Sequence, residues 1–256
     1  MQIWRYRQRC LRPLQGPAAL LDALVGEGEN ALVAFVGAGG KSTLMHALGV
    51  QAARSGRHVL LGTTTHIRRP RDGVVLTQDD AENVAAACRA HRFVTVGRPC
   101  ADGKLAMPPG LSWKQVRRRV ALTLLEADGA KGRPIKAPRV HEPVVPPQTT
   151  HVCAVVGLSA LGRTIEQAGF GIEPMCRLLG KPPQARIEPM DIARLCVRRT
   201  GARKHVPAQA RYCVCLHQAD TPGRLAAAGQ IAAALQKRGV RCLITAGGEG
   251  EKPCAF

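Results

Sequence analysis

The stretch Ala31-Leu-Val-Ala-Phe-Val-Gly-Ala-Gly-Gly-Lys-Ser-Thr-Leu-Met45 predicts the fold of this chain. Its first six residues form an apolar run that is typical of a buried β-strand. The run ends in a glycine-rich turn, residues 37–40, and a helical pattern begins at Lys41-Ser42. Strand, glycine turn, Lys-Ser and helix follow one another in the order that a phosphate-binding loop requires. The sequence therefore predicts a nucleotide site at this turn.

Each part of the turn has its own predicted role. Glycine lets backbone N–H groups point at phosphate oxygens, because no Cβ stands in the way. The helix that follows adds the partial positive charge of its N-terminus. We expect Lys41 to reach the outer phosphates and the Ser42 hydroxyl to ligate Mg²⁺.

The match to the usual spacing, G-x-x-x-x-G-K-[ST], is incomplete. Phe35 stands where that pattern has its first glycine, which leaves the shorter G-x-x-G-K-S. The shorter form resembles the compact loop of the Mur-type ligases. A Rossmann fingerprint is the weaker rival, because Ser42 lies where that motif has its third glycine. The bland alternative is a glycine-rich strand-to-helix turn with an incidental lysine.

A second apolar run, residues 120–125, ends in the acidic residues Glu126 and Asp128. This is the Walker B arrangement, in which a carboxylate beside the phosphate loop holds Mg²⁺ directly or through water. In an extended segment the two side chains face the same way, because they are two residues apart. We predict Ser42, Glu126 and Asp128 as metal ligands and Lys41, Glu126 and Asp128 as catalytic residues. The alternative is a pair of carboxylates that cap a loop.

Four further residues, near the ends of predicted strands, are weaker candidates. Thr64 and Thr65 follow the strand 58–62 and are read equally well as Mg²⁺ or phosphate contacts and as β-branched strand residues. Lys131, two residues after Gly129, is a candidate for a second phosphate contact, whereas Arg133, Lys136 and Arg139 are expected on a solvated basic face. Asp220 is read equally well as a contact to the base and as a helix N-cap. The full predicted nucleotide set is Gly37, Ala38, Gly39, Gly40, Lys41, Ser42, Thr43, Thr64, Thr65, Lys131 and Asp220.

Strand-like and helical patterns alternate along the chain, which predicts an α/β fold. Among the individual elements we predict a loop over residues 26–30, a helix over residues 77–91, and a loop or hairpin over residues 98–110. We expect three layers like those of a P-loop NTPase, with a mainly parallel sheet and helices on both faces. We predict a single domain over residues 1–256, with a small irregular insertion or lid around residues 158–186.

Composition limits the classes of function. The chain has 37 Lys and Arg against 18 Asp and Glu, for a formal net charge of +19, which favours polyanionic partners. Eight aromatic residues (2 Trp, 2 Tyr and 4 Phe) offer little surface for base stacking, which argues against nucleic acid. None of the ten cysteines forms a C-x-x-C pair, so we expect reduced thiols and no structural zinc. No apolar run reaches membrane-span length and no signal peptide is evident, so we expect a cytoplasmic protein that does not bind a membrane.

Several segments together resemble the selenium-dependent molybdenum hydroxylase accessory proteins, a family linked to selenium cofactor biosynthesis. The segments are Val36-Gly-Ala-Gly-Gly-Lys-Ser-Thr43, Thr63-Thr-Thr-His-Ile67, Glu126-Ala-Asp-Gly-Ala-Lys-Gly-Arg-Pro-Ile-Lys-Ala-Pro138, His141-Glu-Pro143, Val156-Gly-Leu-Ser-Ala-Leu-Gly162 and Gln218-Ala-Asp220. They span most of the chain in order, and the segment that begins at Glu126 is the most specific.

The resemblance implies a P-loop protein that acts in the maturation of these hydroxylases, around the molybdenum cofactor. The expected cofactor is Mg²⁺ with ATP or GTP, and the expected reaction is NTP hydrolysis or phosphoryl or nucleotidyl handling. The expected partners besides the nucleotide are the molybdenum cofactor or a molybdenum hydroxylase. A second hypothesis is a non-enzymatic basic carrier or chaperone for an anionic molybdenum-pterin cofactor or an acidic hydroxylase. A third is nucleic-acid binding through the net positive charge.

Overall fold

A computed structural model describes residues 1–15, 18–26 and 30–247 of the chain. Its helices are α1 (Ala19–Leu24), α2 (Lys41–Arg54), α3 (Ala81–His91), α4 (Trp113–Arg119), α5 (Ile165–Ala168), α6 (Ile172–Leu179), α7 (Pro189–Val197) and α8 (Pro222–Gln236). Its strands are β1 (Gln2–Arg7), β2 (Cys10–Pro13), β3 (Ala31–Gly37), β4 (Val59–Thr63), β5 (His66–Arg68), β6 (Val74–Leu76), β7 (Phe93–Val96), β8 (Arg98–Cys100), β9 (Lys104–Ala106), β10 (Leu122–Glu126), β11 (Ile135–Lys136), β12 (His151–Gly157), β13 (Gly169–Phe170), β14 (Arg211–His217) and β15 (Arg241–Ala246).

One large sheet organises the described part of the chain. Its ten strands lie in the order β2-β1-β15-β14-β12-β3-β10-β4-β7-β6. Every neighbouring pair from β15 to β6 is parallel, whereas β1 pairs antiparallel with both β15 and β2. The sheet is therefore mixed and mostly parallel. The mainly parallel sheet was predicted, but the antiparallel hairpin of β1 and β2 at its edge was not.

Helices cover both faces of the sheet. Along β3, Ala34 and Val36 pack in one buried cluster with residues of α7 and α8. Val33 and Phe35 point to the other face, where they pack with α1 and α2. A parallel strand that is buried on both faces has a continuous apolar sequence, which is why polar and apolar residues do not alternate over residues 31–36.

The central position of β3 determines what its carboxyl end can contact. β12 and β10 flank it on either side, and all three strands run in the same direction. The loops that follow parallel strands emerge at one edge of the sheet, so the glycine turn after β3 and the carboxylates after β10 meet there.

Element boundaries depart from the prediction where local side chains decide them. The helix predicted to begin at Thr77 starts at Ala81, because the Asp80 side chain accepts hydrogen bonds from the N–H groups of Glu82 and Asn83 and so caps it. The segment predicted as loop or hairpin, residues 98–110, contains the hairpin of β8 and β9.

The segment 158–186 is not the irregular stretch that was expected. It contains α5, α6 and the short strand β13, which pairs with β11. Ile165 and Met175 are fully buried in the same cluster as α7 and α8. Most of the predicted loop 26–30 and Cys254 fall outside the described residues. Among the helices that are described, none has the length and apolar character needed to span a bilayer.

Candidate functional site

The glycine loop, residues 37–40, joins β3 to α2 through backbone conformations that favour glycine. The φ angles of Gly37, Gly39 and Gly40 are +92°, +86° and +109°. A Cβ at Gly39 would lie 2.2 Å from the backbone nitrogen of Gly157, and one at Gly40 would lie 2.5 Å from Cδ2 of His217. The loop therefore packs against the last residues of β12 and β14, and side chains at Gly39 or Gly40 would displace it.

The N–H groups of this region fall into two sets. Those of Gly37, Ala38 and Gly39 donate to the Asp128 carboxylate, the Val155 carbonyl and the Arg133 carbonyl, at 3.1, 2.9 and 3.1 Å. Within the described ranges, no acceptor engages the N–H groups of residues 40–43, the first turn of α2. The donors left for a ligand are thus those at the start of the helix, and Gly40 is the one glycine among them of the three that the loop contains.

Lys41 is buried at the first position of α2. Its Nζ donates to the Gly37 carbonyl at 2.6 Å and lies 3.1 Å from Oδ1 of Asp128. Oε1 of Glu126 is 4.0 Å away from the same nitrogen. The ammonium group therefore faces both predicted carboxylates, and Lys41, Glu126 and Asp128 are brought together as the sequence predicted.

Asp128 connects the glycine loop to Lys136. Its Oδ2 accepts from the Gly37 N–H and lies 3.3 Å from Nζ of Lys136, a side chain with no exposed surface. Lys136 also lies 2.9 Å from Oε1 of Glu142 and donates to the Gly129 carbonyl. Asp128 is thus held between two lysines, and Lys136 between two carboxylates.

Ser42 and Glu126 form the second contact between α2 and β10. The Ser42 hydroxyl donates to Oε2 of Glu126 at 2.8 Å. Burial raises the pKa of the Glu126 carboxyl, and the Asp128 charge adds to this, although Lys41 and the Ser42 hydrogen bond act in the opposite direction. The burial effect is the larger, so Glu126 holds a proton more tightly than an exposed glutamate does.

The threonines after β4 line the same edge of the sheet. The Thr64 N–H donates to the Glu126 carbonyl, while its hydroxyl donates to the Val144 carbonyl at 2.7 Å. The Thr65 N–H donates to the Thr63 hydroxyl, which in turn donates to the Glu126 carbonyl. These contacts hold β4 against the end of β10, and the Thr64 hydroxyl is directed to a backbone carbonyl.

The remaining predicted residues lie at the border of this group. Thr43 follows Ser42 in α2 and is partly buried, and Lys131 is exposed at a positive φ of 46°. Asp220 is exposed and accepts from the Gly247 N–H at 3.0 Å. The N-cap role weighed for Asp220 is wrong, because the cap of α8 is Thr221, whose hydroxyl accepts from the Arg224 N–H.

Two residues of the site were missed by sequence reasoning. Lys136 was expected on a solvated face, but its apolar neighbours Ile135 and Ala137 are fully buried, and that local pattern was the available signal. His217 packs against Gly40, and its Nδ1 lies 2.7 Å from the Thr245 hydroxyl. Burial lowers the pKa of the His217 ring.

The oxygen atoms at this edge suit a hard cation, since hydroxyl and carboxylate oxygens are the ligands that Mg²⁺ takes. Within the described residues, however, no group of three or more His, Cys, Asp and Glu side chains is placed to hold a metal ion. The charged side chains are Lys41 and Lys136 against Glu126, Asp128 and Glu142, that is, two positive and three negative groups. With all of them ionised the net charge of the site is −1.

A family model and a curated protein match this chain. The family model described as "YqeC protein" matches residues 33–170, more than half of the chain, and includes the glycine loop, Glu126, Asp128 and Lys136. A protein of Escherichia coli (strain K12), described as "Uncharacterized protein YqeC", is 30% identical over 203 residues, which cover 77% of this chain and 79% of that protein. No solved structure matches the chain.

Proposed function

The chain belongs to the YqeC family, and we propose that it binds a Mg²⁺-nucleoside triphosphate at the glycine loop and the start of α2. One observation carries the proposal: Lys41 and Ser42, the first residues after the loop, face two buried carboxylates at the end of the adjacent parallel strand. A strand, glycine loop and helix beside a strand that ends in carboxylates is the arrangement of P-loop NTPases.

The phosphates would occupy the start of α2. The unengaged N–H groups of residues 40–43 and the helix dipole would bind their oxygens. Lys41 would then move from the Gly37 carbonyl and Asp128 to the outer phosphates, and Lys136 would keep Asp128 neutralised. Lys131, Thr64 and Thr65 are proposed as further contacts to the phosphates or to Mg²⁺, and Asp220 as a contact to the base.

Mg²⁺ is part of the proposal because the site alone carries no excess positive charge. Ser42 and Glu126 would hold the ion, since their oxygens lie 2.8 Å apart, and Asp128 would assist directly or through water. Among the described residues, too few protein ligands are present for a cation without a ligand that brings oxygens of its own, and phosphates supply them. When bound, Mg²⁺ would neutralise phosphate charge during hydrolysis.

The cellular role that we propose is maturation of selenium-dependent molybdenum hydroxylases, as an accessory NTPase. Its support is the ordered set of sequence segments described above, of which the segment 126–138 supplies both carboxylates and Lys136. Such a role requires that the nucleotide bind, so binding is the property to test first.

Calorimetric titration with non-hydrolysable ATP and GTP analogues, with and without Mg²⁺, tests this function. We expect one analogue to bind in a Mg²⁺-dependent manner. Lys41→Ala should abolish binding, and Ser42→Ala should remove the dependence on Mg²⁺. Lys114→Ala, which changes an exposed lysine of α4, is the control and should bind as the wild type does.

Each variant is first checked for its fold by circular dichroism, because Lys41 is buried in an ion pair. Absence of binding of both analogues to the folded wild type, or unchanged affinity in folded Lys41→Ala, would refute the proposed site.

A further inference from the structure

Two basic grooves meet on one surface, and no carboxylate of the candidate site lines either groove. The first, of about 490 Å³, is formed by the segment 138–140, α6 and the chain after α7, and its cations are Arg139, Arg177, Arg198, Arg199 and Lys204. The second, of about 470 Å³, shares Arg198 and adds Arg194, Arg203 and Arg238. Among the described residues, no acidic side chain lines either groove. We call the two grooves together the arginine face.

The charges of the arginine face are almost entirely uncompensated. Within the described ranges, Arg177 is the one member with a carboxylate partner, Glu173, and that pair is exposed. Lys204 instead donates to the carbonyls of Arg139 and Val140, at 2.6 Å each, which holds its ammonium group at the rim of the first groove. Like charges gathered without counter-charges create a positive potential that attracts an anionic partner.

The surroundings of the face favour a protein over nucleic acid. The planar guanidinium group binds carboxylates and phosphates alike through paired hydrogen bonds, but arginine is enriched at protein interfaces. The aromatic rings nearby do not offer a stacking surface, because Arg139 covers Phe170 at 4.7 Å and Arg203 covers Tyr212 at 5.2 Å.

Size and apolar contacts favour a protein over a small anion. The two grooves continue into each other at Arg198, so the cationic surface is longer than one phosphate group requires. Val140, the most exposed large hydrophobic residue described, has 78% of its surface accessible and lines the first groove with Pro138, Pro174 and Leu178. We propose that the arginine face binds an acidic segment of a partner protein, with carboxylates on the arginines and an apolar side chain against Val140.

The segment that a partner would touch also reaches the candidate site. Arg139 and Val140 follow Lys136 by three and four residues, and the Arg139 N–H donates to Glu142, the second carboxylate of Lys136. Docking would therefore contact the loop that holds Lys136 on Asp128. This coupling rests on the proposed nucleotide function, whereas docking itself does not, so docking is measured on protein without nucleotide.

The test is fluorescence anisotropy with labelled poly-L-glutamate and the full-length protein. The variant Arg198→Glu/Arg199→Glu reverses two exposed charges of the face. Its matched control, Arg118→Glu/Arg119→Glu, reverses two adjacent exposed arginines at the end of α4, which packs in a different hydrophobic cluster. We expect the first variant to weaken binding about tenfold or more, because like charges then oppose the ligand, and the second to change it much less.

Three outcomes would overturn the proposal. Equal weakening by both variants would show attraction to the net charge of the chain alone. Stronger binding of oligothymidylate than of poly-L-glutamate at the same salt concentration, lost in the first variant, would assign the face to nucleic acid. Displacement of poly-L-glutamate by tripolyphosphate at an equimolar amount would assign it to a small phosphate ligand. Circular dichroism of both variants confirms that the comparison is made between folded proteins.

Discussion

The ammonium group of Lys136 lies 3.3 Å from Oδ2 of Asp128, and neither side chain has appreciable exposed surface. Lys41 approaches the other oxygen of the same carboxylate at 3.1 Å. Asp128 therefore connects the glycine loop and α2 to Lys136 of the short strand β11, and Lys136 in turn contacts Glu142 in the segment that leads to the arginine face. Removing the carboxylate of Asp128 leaves the two lysines buried without their negative partner, and removing a lysine leaves the carboxylate with less positive charge around it.

Asp128→Ala should destabilise the protein strongly. It leaves Lys41 and the Gly37 N–H without their carboxylate, and removing one member of a buried ion pair typically costs about 3–5 kcal/mol. Urea unfolding measures the change. Glu173→Ala, which removes an exposed carboxylate of α6 paired with Arg177, is the matched control and should leave the midpoint almost unchanged. Equal midpoints for the two variants would show that the Asp128 pairs contribute nothing to the fold.

Two glycines with similar φ angles should differ in how strongly an alanine there destabilises the protein. Gly39 has φ +86° and a Cβ there would overlap the backbone of Gly157, whereas Gly56 has φ +88° and open space around it. Gly56→Ala should cost about 1–2 kcal/mol of backbone strain alone. Gly39→Ala should cost more and also abolish nucleotide binding, because backbone atoms cannot move aside as a flexible side chain can. Similar unfolding midpoints for both variants would contradict this account of the loop.

The sequence predicted those elements that depend on residues close together along the chain. The run 31–36 indicated β3 because it is apolar on both faces, and the pair Glu126 and Asp128 followed from the apolar run before them. The meeting of Lys41 with these carboxylates was predicted because parallel strands end at one edge of a sheet.

The rest depended on contacts between distant segments. Although its apolar neighbours Ile135 and Ala137 were a signal of burial, Lys136 was expected in solvent, because the carboxylates that enclose it, Asp128 and Glu142, could not be identified from residues 131–139. The hairpin of β1 and β2 was missed because its pairing with β15 joins strands from opposite ends of the sequence. The engagement of the Ala38 and Gly39 N–H groups by the Val155 and Arg133 carbonyls likewise follows from the approach of segments that are distant in sequence.

Glu126 should make stability fall as pH rises. Burial raises its pKa on folding, so between the unfolded value, about 4.3, and the raised folded value the native state binds more protons than the unfolded state. Below this window the carboxyl is protonated in both states and carries no penalty. Glu126→Gln removes the titration, so its advantage in unfolding free energy over the wild type should grow as pH rises through the window. Urea titrations at a series of pH values measure the difference, and an advantage that shrinks with rising pH would contradict the raised pKa.

Loss of charge at Lys131 and at Lys136, five residues apart, should affect different properties: nucleotide affinity at Lys131 and stability at Lys136. Lys131 is exposed, so Lys131→Met should leave the unfolding midpoint unchanged and weaken nucleotide binding about tenfold, as expected for loss of one charged phosphate contact. Lys136 is buried between Asp128 and Glu142, so Lys136→Met should lower the free energy of unfolding by about 3 kcal/mol. The same two measurements, urea unfolding and calorimetric titration, are made on both variants. A Lys131 variant with unchanged affinity would remove that residue from the site, and a Lys136 variant of wild-type stability would show that its carboxylates are solvated rather than paired.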